Sequence, residues 1–298
     1  MPRVSIIVPT YNRPALLPRA LASVANQTFR DFEVIVINDG GNCPYVDKSL
    51  SGFGKTKFFS KNWGGPGSAR NRGLDLSDSE FVAYLDDDDE WFPIHLERLI
   101  STLNQNPKSK IVYGSADLVD AGLPVRRWGH SKFNKFVLDG FYTIFPLTTC
   151  IHRREILLKT HNFDENPLLI GPEDCEFMIR ASDHDFPLAA MEVTARMHRD
   201  QSMTKPTRCK WVDALAYVIE KNGYGARRRN WLMFYRAYIA AIEENRSDFI
   251  DAWAEQLDIQ LPNTLKRVGD NIIGDISLFP HDIKTFCRNT LSCVSDVN

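Results

Sequence analysis

The sequence lacks three features that would each indicate a particular class of protein. Its 298 residues contain no apolar run near the roughly 20 residues that a membrane-spanning helix needs. The six cysteines include no CxxC pair, which argues against a zinc site or a disulfide framework and is typical of a reducing cytoplasm. The 36 basic residues nearly balance the 38 acidic ones, so the net charge of −2 argues against a broad nucleic-acid-binding surface.

The remaining composition is that of an ordinary globular protein, with 43% hydrophobic and 25% charged residues. The apolar part of the opening MPRVSIIVPTYN is too short for a signal peptide, so we expect a cytoplasmic protein. After about residue 205 the composition shifts and helical patterns dominate. We therefore predict a catalytic domain of residues 1–204, with halves of about 1–115 and 116–204, and a helical extension of residues 205–298.

Short apolar runs alternate with helical patterns in the first half of the chain. Val4–Val8 and Phe32–Ile37 are predicted strands, and the helical spacing of Leu16–Val24 lies between them. This βαβ unit predicts an α/β fold with a mostly parallel central sheet flanked by helices. Further strands are predicted at Lys57–Phe59, Phe81–Leu85, Ile111–Tyr113 and Leu188–Val193, and helices from Ser68 and over Pro93–Leu103, Ile151–Lys159 and Gly171–Ala181.

The most informative stretch is YLDDDDEW, in which the apolar run Phe81–Leu85 leads into four consecutive aspartates. Adjacent carboxylates repel one another unless a cation lies among them. Oxygen ligands suit Mg²⁺ or Mn²⁺, which commonly also bind substrate phosphates. Since open α/β sheets bind ligands at the carboxyl ends of their strands, this run predicts a metal site for a phosphate-bearing substrate. The alternative is a solvated acidic turn.

Polar motifs also follow the other predicted elements. PTYNR ends the first strand, NDGG ends the second, and GGPGSARNRG opens a helix whose free amides would attract an anion. With YLDDDDEW and PEDCEFMIR, these motifs in this order closely resemble the family 2 glycosyltransferases of the GT-A fold, over residues 4–204. The resemblance implies a Rossmann-like fold and an inverting, metal-dependent transfer of a sugar from a nucleotide-diphosphate donor, with UDP favoured.

The resemblance also implies residue roles on the donor side. Tyr11, beside Pro9 and Thr10, would pack on the nucleobase, as an aromatic face can. Asp39 would hydrogen-bond the base edge, although Asn38 replaces the first aspartate of the family's usual pair. The alternative is that Asp39 is a simple turn residue. Arg70 would lie near the base or the diphosphate.

In the family's DxD-type motif, Asp88 would bind the metal, Mn²⁺ or Mg²⁺, and Asp86 would contact the ribose or a metal-bound water. Asp87 is assigned to the nucleotide side, but it holds the motif's variable position, where a side chain can simply face water. Asp89 would orient the metal-binding residues without binding the metal itself. His198 is a candidate ligand of the metal or the diphosphate, because neutral imidazole binds metals, but a lone histidine is usually structural.

Glu173 and Asp174 resemble the family's late ED motif, whose aspartate is the general base. An acceptor hydroxyl must lose its proton as it attacks the anomeric carbon, and a positioned carboxylate can take that proton. No covalent sugar–enzyme step is needed, so inversion is expected. The alternative is that both residues merely favour a helix start.

The expected partners are a nucleotide sugar and a glycan or lipid-linked acceptor, as in polysaccharide biosynthesis, without nucleic acid. The Trp231–Ile242 aromatic stripe is predicted to pack on the catalytic domain. Alternatively, the stripe and the basic Arg227–Arg229 would make peripheral contact with the inner face of a membrane. The rival functions are a nucleotide-sugar-binding module without catalysis and a DxD phosphatase-type hydrolase, whose motif belongs near the chain start.

Overall fold

The structure is a computed structural model that describes residues 1–41, 55–120, 122–129, 132–140, 143, 145–198 and 210–223, and beyond them positions 233, 236–237, 240–241, 244–246, 249 and 252. Within these residues, nine strands form one sheet. They are β1 Val4–Thr10, β2 Phe32–Asn38, β3 Thr56–Ser60, β4 Phe81–Tyr84, β5 Glu90–Trp91, β6 Ile111–Asp120, β7 Leu123–Trp128, β8 Cys150–Arg153 and β9 Leu188–His198. Their order is β3-β2-β1-β4-β8-β6-β9-β5, and β7 pairs with β6.

The described part of the chain contains seven α-helices. They are α1 Leu17–Ala25, α2 Pro66–Asp75, α3 His95–Gln105, α4 Lys135–Asp139, α5 Leu157–Thr160, α6 Glu173–Ser182 and α7 Trp211–Asn222. None of these helices combines the length and apolarity needed to cross a bilayer.

The first four strands in the spatial order form a parallel sheet, as the βαβ pattern predicts. All seven residues of β1 are buried, because β2 and β4 flank it and helices cover its faces. Helix α2 approaches β1 closely at Gly73, where a Cβ atom would lie 2.5 Å from Ile7 Cγ2. The register pairs Thr10 with Asn38 and Ile7 with Tyr84, so the segments after β1, β2 and β4 leave the sheet at one edge.

The second half of the sheet is mixed. β8 lies between β4 and β6 and is antiparallel to both, whereas β9 runs parallel to β6. The predicted helix Ile151–Lys159 is therefore wrong over its first residues: Cys150–Arg153 is a strand, and the helix is confined to Leu157–Thr160. Pairing with two buried strands outweighs the weak helical pattern of this segment. The predicted α/β class, with a central sheet between helices, is confirmed.

Contacts divide the chain into two compact units, residues 1–138 with 143–209 and residues 139–142 with 210–298. In the second unit, α7 buries Val212, Leu215 and Val218 on one face, and Glu244 accepts a 2.7 Å hydrogen bond from the Trp211 amide at its start. The arginines at 227–229 lie outside the described residues, as do the five residues that form the predicted stripe, Trp231, Phe234, Tyr235, Tyr238 and Ile242. The predicted boundary between 204 and 205 stays a prediction.

Candidate active site

The carboxyl edge of the parallel strands gathers the polar motifs. Thr10 ends β1, Asp39 follows β2, and the four aspartates follow β4 one residue after the strand ends. Thr10 Oγ1 donates a 2.6 Å hydrogen bond to Asp87, which joins the first and third of these segments directly. The edge is therefore a single site whose parts lie far apart in sequence.

Three aspartates of the acidic run converge. Carboxylate oxygens of Asp86, Asp88 and Asp89 all lie within 4.8 Å of one another, and among the described residues this is the group with the spacing of a metal site. Burial, and then repulsion by Asp86, raises the pKa of Asp88 to about 6. The same two causes raise the pKa of Asp89 well above its ordinary value. A divalent ion fits this trio, because it would offset the repulsion and prefers oxygen ligands.

Asp87 does not face water, which corrects the alternative left open by its variable position. Its side chain is 3% exposed, and it accepts hydrogen bonds from Thr10 and, at 2.7 Å, from Arg13 Nη1. Arg13 Nη1 also lies 3.1 Å from Asp88 Oδ2. Burial raises the pKa of Asp87, while Arg13 and Thr10 oppose that shift. These contacts make Asp87 a structural tie between β4 and the segment after β1.

His198 lies at the end of β9, beside the acidic loop but outside the aspartate trio. Its Nε2 is 2.6 Å from Glu90 Oε1, and Arg19 Nε is 3.5 Å from the same oxygen. Arg19 also donates a 2.7 Å hydrogen bond to the Asp88 carbonyl. Burial lowers the pKa of His198, so the imidazole is predominantly neutral at pH 7. Its predicted metal role stays a prediction.

Asp39 anchors the glycine-rich segment. Its carboxylate accepts hydrogen bonds from the amides of Gly64 at 3.0 Å and Gly65 at 2.7 Å, and Lys61 Nζ lies 2.6 Å away. Gly65 has a φ of +88°, a conformation that favours glycine. Tyr11 lies edge-on to Trp63 with ring centroids 6.4 Å apart. Asp39 and Tyr11 thus both lie at the carboxyl edge of the parallel strands, and their roles toward a base stay predictions.

Arg70 connects the acidic loop to α6. It is 3% exposed, and its guanidinium donates to Asp86 Oδ1 at 2.7 Å and to Glu173 Oε1 at 2.6 Å. Burial alone would lower the pKa of Arg70, but the two carboxylates raise it above its ordinary value. Glu173 also accepts a 2.8 Å hydrogen bond from the Gly171 amide. Both Glu173 oxygens are thus engaged, which supports a positioning role rather than direct contact with substrate.

Asp174 occupies the first turn of α6 and retains part of its surface in contact with solvent. Its Oδ1 accepts a 2.7 Å hydrogen bond from the Cys175 amide. Burial, and then repulsion by Glu173, raises the pKa of Asp174 to about 7. A carboxylate with such a pKa exchanges protons near neutrality, which suits a general base. Glu176 and Arg180 form a 2.6 Å ion pair on the same helix, and Arg180 also bonds the Asn162 carbonyl, which fixes α6 in place.

Arg13 and Lys61 are cations of the site to which the motifs assigned no role. Arg13 stands inside PTYNR, and Lys61 follows β3. Each pairs with a carboxylate at the end of a neighbouring parallel strand, Asp87 and Asp39 respectively. The signal in the sequence was the excess of carboxylates at the ends of the predicted strands. Carboxylates buried at a sheet edge require nearby cations.

Comparison with known proteins gives one family. The profile described as Glycosyl transferase family 2 matches residues 5–165. The succinoglycan biosynthesis protein ExoW of Rhizobium meliloti is 44% identical over 104 residues, covering 32% of this chain and 32% of ExoW. The GalNAc(5)-diNAcBac-PP-undecaprenol beta-1,3-glucosyltransferase of Campylobacter jejuni is 39% identical over 110 residues, covering 35% of this chain and 36% of that enzyme. The matched segment thus spans about a third of the length of either relative.

The fold also matches solved structures. The crystal structure of S. aureus TarS 1-349 in complex with UDP-GlcNAc superposes with a TM-score of 0.64 at 20% sequence identity, covering 81% of this chain and 73% of that one. At this identity the likeness concerns the fold, and it agrees with the predicted GT-A architecture.

Proposed function

Because this chain belongs to glycosyl transferase family 2, we propose that it transfers a sugar from a nucleotide-diphosphate donor to a hydroxyl of a glycan or lipid-linked acceptor, with inversion. The observation that carries the proposal is the Arg70 bridge, which holds an aspartate of the acidic trio and the start of α6 on one guanidinium. A loop suited to a metal-bound diphosphate and a carboxylate suited to a base are thus parts of one rigid arrangement.

The donor would lie along the carboxyl edge of the parallel strands. The residues proposed to contact the nucleotide lie on or beside that edge: Pro9, Thr10, Tyr11, Asp39, Arg70, Asp86 and Asp87. Of these, Thr10, Asp39, Arg70 and Asp87 are buried and bonded to protein partners, so they would meet the nucleotide as side chains already fixed in position. UDP is the favoured nucleotide, which is consistent with the UDP-GlcNAc bound by the structurally similar TarS.

Asp86, Asp88 and Asp89 would hold Mn²⁺ or Mg²⁺, with His198 as a further candidate. When bound, the ion would offset the negative charge of the departing diphosphate. Arg13 and Arg19 keep the loop in place from the side of α1, through the Asp88 side chain and its carbonyl.

Asp174 would act as the general base. As the acceptor oxygen bonds to the anomeric carbon, the bond from that carbon to the diphosphate breaks, and the hydroxyl proton passes to Asp174. The acceptor attacks from the face opposite the departing diphosphate, so this single displacement inverts the anomeric centre. Glu173 and Arg70 would orient this helix start, since Glu173 joins the Gly171 amide to the guanidinium.

The acceptor side is proposed from the relatives. One relative is named for succinoglycan biosynthesis, and another for adding glucose to a saccharide on undecaprenyl diphosphate. We propose a corresponding role in polysaccharide biosynthesis at the cytoplasmic face of a membrane.

The test is thermal stabilisation by UDP, GDP, dTDP and CMP, each with Mn²⁺ and with EDTA, because a specific ligand raises the melting temperature by mass action. We expect a Mn²⁺-dependent shift with one nucleotide, and loss of that dependence in Asp88→Asn. Asp31→Asn is the matched control, because Asp31 is exposed and remote from the acidic run in sequence. Absence of a shift with every nucleotide would contradict the proposal, whereas nucleotide binding without sugar transfer would favour a binding module.

A further inference from the structure

A small cavity lies beside the proposed base. The empty space there is about 220 Å³ when open solvent is included, its enclosed part has room for about one water-sized group, and Asp174 is in its wall. The other lining residues are Leu138, Thr143, Phe145, Leu147, Cys175 and Met178. If Asp174 is the base, the attacking hydroxyl must come within hydrogen-bond reach of it, so the proposed function places this cavity beside the acceptor.

The walls of this cavity are apolar. Phe145, Leu147 and Met178 are each no more than 4% exposed, as are Leu138 and Cys175. Three lining residues carry polar groups: Asp174 has its carboxylate, Thr143 a hydroxyl and Cys175 a weakly polar thiol. A sugar hydroxyl placed among these walls would lose hydrogen bonds with water and gain few in return. A methyl group would instead remove apolar surface from water and gain dispersion contacts.

We propose that this cavity is an acceptor subsite for a methyl-bearing substituent of the sugar that Asp174 deprotonates, either an acetamido group or the methyl of a deoxyhexose. The inference rests on the proposed function, because it takes Asp174 as the base. Met178 stands one helical turn after Asp174, on the same face of α6. A hydroxyl at Asp174 and a substituent against Met178 would be about 6 Å apart along the helix, which one sugar ring with its substituents can span.

The test compares matched acceptor sugars as hydroxyethyl glycosides, with the full chain, UDP and Mn²⁺ present. N-acetylglucosamine against glucose tests the acetamido group, and fucose against galactose of the same hand tests the deoxyhexose methyl. Affinity is measured by calorimetry, and contact by the carbon-13 shift of the Met178 methyl, assigned through Met178→Leu. We expect one methyl-bearing sugar to bind about 10–200-fold more tightly than its hydroxylated partner and to move the Met178 resonance.

A variant pair tests the cavity itself. Met178→Phe, which changes the shape of the cavity, should abolish the preference for the methyl-bearing sugar, whereas the volume-conserving Met178→Leu should keep it. UDP affinity should be unchanged in both variants, because Met178 lies in the acceptor-side cavity and outside the donor edge. Equal binding of both members of each pair, or no binding of any of the four by an enzyme that still binds UDP, would overturn the inference. Failure to bind any nucleotide would instead contradict the proposed function.

Discussion

The Arg70 bridge provides the sharpest test of how the site is held together. Arg70→Met removes a cation whose side chain is 4% exposed and leaves Glu173, 6% exposed, as an uncompensated buried carboxylate. Loss of one partner of a buried ion pair typically costs about 3–5 kcal/mol. The second pair counts for less, because the Asp86 side chain is 38% exposed and solvent screens it. We therefore expect the free energy of unfolding to fall by about 3 kcal/mol.

Urea unfolding followed by tryptophan fluorescence measures this loss. With a slope of about 1–3 kcal/mol per molar urea, 3 kcal/mol moves the midpoint down by about 1–3 M. The control is Arg72→Met on the same helix, since Arg72 is 36% exposed and lies 3.7 Å from an exposed Asp75. A surface pair of this kind is worth about 0–1 kcal/mol.

A double variant tests the cause. Adding Glu173→Gln to Arg70→Met removes the uncompensated charge and should restore part of the lost stability. Equal midpoint shifts for Arg70→Met and Arg72→Met would refute the reasoning, as would a double variant no more stable than Arg70→Met alone.

Three further predictions concern chemistry and packing. Asp174→Asn should lower the transfer rate about 10²–10⁴-fold in a sugar-transfer assay while calorimetry shows unchanged nucleotide affinity, and an equal loss of affinity would contradict the base assignment. Because the pKa of Asp174 is raised to about 7 and the base acts deprotonated, kcat/KM should rise with pH and level off above about 7; a flat profile between pH 5 and 8 would argue against it. Gly73→Ala should lower the free energy of unfolding, measured by urea unfolding, by about 1–3 kcal/mol, because its Cβ would lie 2.5 Å from Ile7.

The parallel half of the fold follows from the sequence because its strands are continuous apolar runs. Val4–Val8 and Phe32–Ile37 are covered on both faces, so their composition alone distinguishes them from surface strands. The strand Cys150–Arg153 overlaps the start of the helix predicted over Ile151–Lys159, because its strand character depends on two distant neighbours, β4 and β6. Local propensity cannot register such pairing.

The site shows the same division. The acidic run and the ED motif were visible as residue types at the ends of predicted elements. The partners that hold them were not, because Arg13 and Arg70 reach Asp87 and Glu173 across 74 and 103 positions of the chain. An arginine in a motif indicates a nearby anion, but only the fold determines whether that anion is a substrate or a neighbouring carboxylate.

The burial of Asp87 has a consequence for exchanging parts between related enzymes. The second aspartate of the acidic run, Asp87, is held by Thr10 and Arg13, which belong to another stretch of the chain. An acidic loop transferred alone into a related enzyme would therefore lack the Thr10 hydroxyl and the Arg13 guanidinium that hold it in place. Chimeras designed to change donor preference should therefore exchange both stretches together, because the conformation of the acidic loop depends on a pair of loops and not on a single motif.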